Sequence, residues 1–397
     1  MHSAKIVSAL VAMLSIVSAD SDCKDLKITA ADQDIPCKEY SGDVIVDAAV
    51  SGQLEIKKIE SIGGNLKVLN ASSLQTISSS SLTKVGDSMQ FIGLAKLSGI
   101  DFRFLKSAKS IKLANIRALS TLSIGSGAFN VSTVEIRDTG AKDLSGVAFD
   151  TVDSLYLTNN KLLTSYSSDV QSILQNLEIA SNGDKMAVSF PKLEKARIST
   201  ISGVASFKIP VLKKVQSLYF DKNNQMESVA GPNLTEVGLN TKTTGSLSFT
   251  NNTKLVNVSF PAITNITGDL TIATNDAFQN ITGFPKLQSI YGSLVLGGNF
   301  SEVDLPKLTS VSGSADIRSF ADVSDAFCNN EYKKFNVKGA NSQCKFNSTN
   351  VSTGNGTDIG KDGKGGSGNT GKSAGALNTV SFAAMSLALL GGALQLL

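Results

Sequence analysis

Six of the seven prolines in this 397-residue chain occupy one recurring tetrapeptide: Phe190-Pro191-Lys192-Leu193, Ile209-Pro210-Val211-Leu212, Gly231-Pro232-Asn233-Leu234, Phe260-Pro261-Ala262-Ile263, Phe284-Pro285-Lys286-Leu287 and Leu305-Pro306-Lys307-Leu308. Successive prolines are 19, 22, 29, 24 and 21 residues apart. Proline lacks a backbone N–H and holds φ near one value, so a proline kept in phase over such a distance marks the same corner of a repeating unit. The pattern predicts a solenoid.

A short alternating apolar run follows each proline motif, as in Gly245-Ser246-Leu247-Ser248-Phe249, Gly268-Asp269-Leu270-Thr271-Ile272 and Gly292-Ser293-Leu294-Val295-Leu296. Period-two alternation is the mark of a half-buried strand. With the first inward residue as marker, rungs are expected at Val44, Leu66, Met89, Ile111, Val134, Leu155, Leu177, Ala196, Leu218, Leu247, Leu270, Leu294 and Ala315, a mean step of about 22.6 residues. One strand per turn cannot bury its own apolar face, so the rungs must stack into a shared core. At about 4.8 Å per rung, the rod would be on the order of 60 Å long. The step shortens to 19 residues at Ala196 and lengthens to 29 between Leu218 and Leu247. The longer turn, including Asn240 to Thr244, is the first place expected to meet a partner.

Five residues after the marker stand Asn160, Asn182, Asn223, Asn252, Asn275 and Asn299. Asn tolerates left-handed backbone, and its amide satisfies both an N–H and a C=O. Stacked copies are therefore expected to form a buried ladder along one corner.

The chain is 41% hydrophobic, enough for a large core, and a solenoid extends that core without dividing into domains. A net charge of +3, with basic residues dispersed among acidic ones, gives no nucleic-acid footprint.

Residues 1–19 combine Lys5, an apolar run from Ile6 to Val17 and the small-residue site Val17-Ser18-Ala19, the pattern of a cleaved secretory signal. At the other end, Val380 to Leu397 is apolar, preceded by a polar spacer and the small residues Gly368, Asn369, Thr370 and Gly371. That order is a glycosylphosphatidylinositol (GPI) attachment signal, which predicts a lipid anchor in the outer leaflet of the plasma membrane and removal of residues 370–397. Asn369 is the favoured attachment residue, with Gly368, Gly371 and Ser373 as alternatives. Residues 20–346 form the solenoid and its caps. Residues 347–369, rich in Ser, Thr, Gly and Asn, are expected to form a flexible stalk.

The four cysteines flank the repeats: Cys23 and Cys37 before them, Cys328 and Cys344 after them. In a secreted chain they are expected to be oxidised, and pairing within each end is the simplest of three connectivities. Eleven Asn-x-Ser/Thr sequons lie at Asn70, Asn130, Asn233, Asn251, Asn257, Asn265, Asn280, Asn299, Asn347, Asn350 and Asn355. Behind a secretory signal this density predicts a heavily glycosylated surface. Asn299, being also a ladder position, is expected to stay bare while Asn251 and Asn280 are modified.

Catalytic chemistry has little to draw on. His2 is the only histidine and falls in the expected signal segment, which removes His-based acid/base and metal-ligand arrangements from the mature chain. No cofactor or metal is called for. Trp is absent, although Tyr156, Tyr166, Tyr219 and Tyr291 could serve in part as sugar platforms. Asp43, Asp87, Asp153 and Asp269 precede strands and are the candidates for an acid/base pair in glycan cleavage. Their position fits Asx-turn residues better.

Taken together, the Phe-Pro-x-Leu-x-x-Ile-x-Gly-x-Leu-x-Ile unit, the terminal cysteines and both processing signals resemble the fungal GPI-anchored cell-wall glycoproteins of the extracellular-mutant and sporulation-specific type. Their repeats are similar to the L domains of insulin and epidermal-growth-factor receptors. The resemblance covers about Cys23 to Cys344. It implies an all-β right-handed β-helix, or leucine-rich-repeat-like solenoid, of about 13 rungs. It also implies a non-catalytic role in cell-wall organisation and integrity, with wall glucan or wall proteins as partners. The alternatives are a wall-remodelling glycan hydrolase or transferase on the same frame and, more distantly, a receptor-like sensor.

Overall fold

The computed structural model describes residues 23–125, 130–238 and 244–360. The expected signal segment, the attachment region and residues 239–243 of the long turn lie outside the described residues.

Parallel strands stack in register along the rod. Leu26 pairs with Val44, and the same column continues through Leu66, Met89, Ile111, Val134, Leu155, Leu177, Ser199, Leu218, Leu247, Leu270, Leu294 and Ala315. The rod is a parallel β-solenoid of about 14 turns, one more than the repeat count, because Leu26 in the strand Leu26–Ile28 opens it. One marker is corrected: Leu177 pairs with Ser199, not with Ala196. Two residues bulge between Ile173 and Asn176, and the strand Lys195–Ser202 carries a buried serine where its neighbours carry leucine. A reading by apolar alternation passes over such a position.

Each coil presents a long strand region and a shorter strand on another side. In the middle of the rod the long region is continuous, as in Ser107–Ile116 and Asn130–Thr139. The shorter strands stack separately, for example Met186–Ser189 on Val204–Lys208. The proline corner joins them. The N–H of the fourth motif residue bonds the C=O of the first in all six copies, at 3.1–3.4 Å, placing each proline second in a tight turn. Proline fits there because its φ is pre-set and no donor is needed.

Aromatic rings run through the C-terminal half of the core. Phe220 and Phe249 stack at 5.3 Å, Phe249 meets Phe260 at 5.8 Å, and Phe260 stacks on Phe284 at 6.0 Å. These contacts add to simple area burial and link three successive coils.

Each end carries a disulfide. Cys23 bonds Cys37 across 14 residues and Cys328 bonds Cys344 across 16. Loops of that size stabilise by about 3 kcal/mol each in the chain-entropy account.

The expected stalk boundary needs correction. Asn350–Ser352 and Asp358–Gly360 form an antiparallel hairpin that lies on the outer face of the last coils. Val351 is fully buried. Arg318, with only 5% of its side chain exposed, donates to Asp316 and Asp358 at 2.7–2.9 Å and to Asn350 Oδ1 at 2.8 Å. One buried valine and one buried ion-pair cluster keep the chain ordered to Gly360, against a polar average composition.

Candidate functional site

The corner after the long strand has two jobs, carried by adjacent residues. Four residues past the marker, ten successive coils place Asn70, Gly93, Asn115, Asp138, Asn159, Ser181, Gly203, Lys222, Asn251 and Thr274 at φ between 53 and 70°. The left-handed turn therefore lies one residue before the position assigned to it by sequence.

The next residue carries the ladder. The backbone N–H and Nδ2 of Asn160 both donate to Oδ1 of Asn182 at 3.1 Å. Asn223 donates likewise to Asn252 at 3.0 and 2.9 Å, and Asn252 to Asn275 at 2.9 and 3.1 Å. Each Nδ2 also reaches a backbone carbonyl, such as Phe220 O from Asn252 at 3.1 Å. At Val204 the ladder is interrupted, and Asn223 Oδ1 accepts the Val204 N–H instead. Asn299 does not join it. Gly298 is absent from the left-handed positions and continues the strand Leu294–Gly298, so Asn299 is exposed while Phe300 is buried in the corner. With no ladder role, the ground for expecting Asn299 to stay bare disappears, and it joins the exposed sequons.

A second ladder, unrecognised from sequence, runs just before the marker. Asp25 Oδ1 accepts the Asp43 N–H at 2.7 Å, Asp43 accepts Asn65 at 2.7 Å, and Asn65 accepts Ser88 at 3.2 Å. Farther along, Ser246 accepts from Asp269, Asp269 from Ser293, and Ser293 from Ser314, at 2.7–3.3 Å. Recurrence of Asp, Asn or Ser immediately before the marker was its only sequence signal. Two catalytic candidates, Asp43 and Asp269, are thereby acceptors for backbone N–H groups. Lys67, hydrogen-bonded at 2.7 Å, and the Asn65 N–H hold the Asp43 carboxyl down at about 2. Burial raises that of Asp269. Asp153 accepts from the Ser132 hydroxyl at 2.7 Å, and Asp87 lies 3.7 Å from Lys109. No group of three or more metal-capable side chains occurs among the described residues.

The sequon asparagines lie on the corners, the shorter strands, the proline turns, the C-terminal hairpin and, at Asn130 and Asn265, the leading edge of the long sheet. Asn70, Asn130, Asn233, Asn257, Asn280, Asn347 and Asn355 are exposed, and Asn251, Asn265 and Asn350 are half-buried. Among the tyrosines, Tyr156 and Tyr219 lie half-buried on the outside of the long strands, and Tyr291 is exposed at a turn. Tyr166 is in the core, and burial pushes its pKa up to about 12. It is withdrawn as a sugar platform.

No protein-family model matches the chain, and no solved structure does. Curated relatives do. A cell surface GPI-anchored protein of Arthroderma benhamiae is 29% identical over 284 residues, 71% of each chain. Protein ecm33 of Aspergillus fumigatus is 27% identical over 317 residues, 78% of each chain. Cell wall mannoprotein PST1 of Saccharomyces cerevisiae is 30% identical over 301 residues, 75% of this chain and 66% of its own. Similarity that spans most of the stacked coils identifies the lineage: the chain belongs to the fungal family of GPI-anchored cell-surface and cell-wall proteins.

Proposed function

We propose that this protein is a non-catalytic, glycosylated cell-surface protein, held by a GPI anchor, that supports organisation and integrity of the fungal cell wall. The observation that carries this reading is the coincidence of cell-surface and cell-wall relatives with secretory and anchor signals in one chain. The placement of Asp43 and Asp269 as backbone acceptors supports a structural role for these carboxylates. Asn369 remains the proposed attachment residue, and wall glucan or wall proteins the proposed partners.

The test is a deletion strain complemented by tagged variants. The intact chain should appear at the cell surface, be released by a phosphatidylinositol-specific phospholipase and restore resistance to wall-perturbing dyes. Asn substitution at Asp43, Asp87, Asp153 and Asp269 should preserve rescue. Intracellular retention of the intact chain, or loss of rescue by well-folded carboxylate variants, would overturn the reading.

A further inference from the structure

The outer face of the long sheet carries no sequon asparagine along its middle, the outward column one residue past the marker. Two sequons lie on this sheet, Asn130 at the start of the strand Asn130–Thr139 and Asn265 in Asn265–Ile266, both at its edge four or five residues before the marker, and Asn251, at the corner beyond Thr250, borders it on the other side. An N-glycan is bulky, so a strip kept clear of sequons on a densely decorated rod is a strip left accessible.

The character of this strip changes along the rod. Toward the N-terminus it is closed by ion pairs: Lys67 with Asp43 at 2.7 Å and Lys112 with Glu135 at 3.1 Å. From there the outward column, in register, reads Tyr156, Glu178, Thr200, Tyr219 and Ser248, with Ser202 beside it. All are half-buried. Beyond Ser248 the same floor passes beneath the hairpin. There Thr271 and Ala273 are covered, and a Cβ at Gly297 would collide with the Ser352 carbonyl. The open stretch thus continues a floor that already accommodates extended chain.

Glu178 is the unusual member. Burial is the one influence on its carboxyl, which is raised in pKa, and no cation neighbours it in the column. A carboxylate set between hydroxyl-bearing side chains, with tyrosine rings on either side, is suited to accept hydrogen bonds from a neutral polyol while the rings contact its apolar faces. Strand spacing of about 4.8 Å is close to the advance per ring of an extended β-linked polysaccharide.

We propose that the outer face between Tyr156 and Ser248 is a binding track for a β-linked glucan chain lying along the rod axis, with Tyr156, Glu178, Thr200 and Tyr219 as its contact residues. A glucan displays only hydroxyls and ring faces, which match this flat, hydroxyl-lined column. An N-acetylated polymer must also seat its acetyl groups, which makes chitin the discriminating control. The proposal rests on the wall-protein reading and specifies its partner.

The experiment uses the secreted, glycosylated ectodomain in co-sedimentation with insoluble β-glucan and calorimetric titration with soluble laminarin. The Tyr156→Ala/Tyr219→Ala pair should weaken binding about tenfold or more at unchanged melting temperature. Thr200→Asn, which with Ile201 and Ser202 completes a sequon, should place a glycan in mid-track and abolish binding. Enzymatic removal of that glycan should restore it. Failure of the unaltered ectodomain to bind glucan, equal binding by the variants, or equal capture by chitin or mannan would overturn the track. Surface location and phospholipase release, measured on the same chains, separate that failure from failure of the wall-protein reading.

Discussion

Asn252 shows how much one side chain can hold. It accepts two N–H groups from Asn223, donates to Phe220 O and passes its own N–H to Asn275, all at zero exposure. Replacement by leucine keeps the volume but leaves the Asn223 donors and the Phe220 carbonyl unpaired in a dry corner. Asn252→Leu should cost about 3 kcal/mol, read as a fall in the urea midpoint. An unchanged midpoint would mean that water replaces the amide. The ladder was legible because asparagine recurred at one offset. The adjoining left-handed column was not, since Asn, Gly, Asp, Ser, Lys and Thr all appear in it. Asn299 marks the limit of reading by offset: the spacing persists, but Gly298 stays in the strand and the corner is turned by other means.

Among the elements, the C-terminal hairpin departs most from what composition suggests. Its seat depends on Arg318 meeting Asp316, Asn350 and Asp358, with Val351 sealed beneath. No local pattern joins Arg318 to Asp358, forty residues away. The Asp358 carboxyl is lowered, chiefly by its hydrogen bond from Arg318. A depressed carboxyl pKa stabilises docking at pH above its unfolded value, and this contribution is lost as pH falls through the depressed one. Protease cleavage within 347–360 should therefore be slow at neutral pH and rise only once pH falls below the ordinary carboxylate range. Arg318→Met should expose the same segment at neutral pH without altering cleavage of the coils. Protection that persists in this variant would show that Val351 packing alone suffices. The alternating strands and proline turns, by contrast, were plain in the chain, because period-two burial and a pre-set φ leave local marks.

At the scale of the whole molecule, every coil touches mainly its neighbours, so stability is distributed along a line. Phe249, stacked on Phe220 and tilted against Phe260, lies in the C-terminal half. Phe249→Ala should cost about 3–5 kcal/mol. Hydrogen exchange should accelerate most in coils adjacent to Phe249 and least near Val44. Uniform acceleration would indicate one all-or-none unit. The glucan track was only partly legible: Tyr156 and Tyr219 were visible as candidates, but their common column and the place of Glu178 between them required the register. The 29-residue step between Leu218 and Leu247 has a further consequence. Across it, Asn223 still meets Asn252 and Phe220 still stacks on Phe249. The longer step leaves the phase of the windings on either side undisturbed. Descendants of this architecture can gain length at such turns with the phase of the windings kept, whereas a residue gained inside a strand has to be swallowed on the spot by a kink such as the one between Ile173 and Asn176.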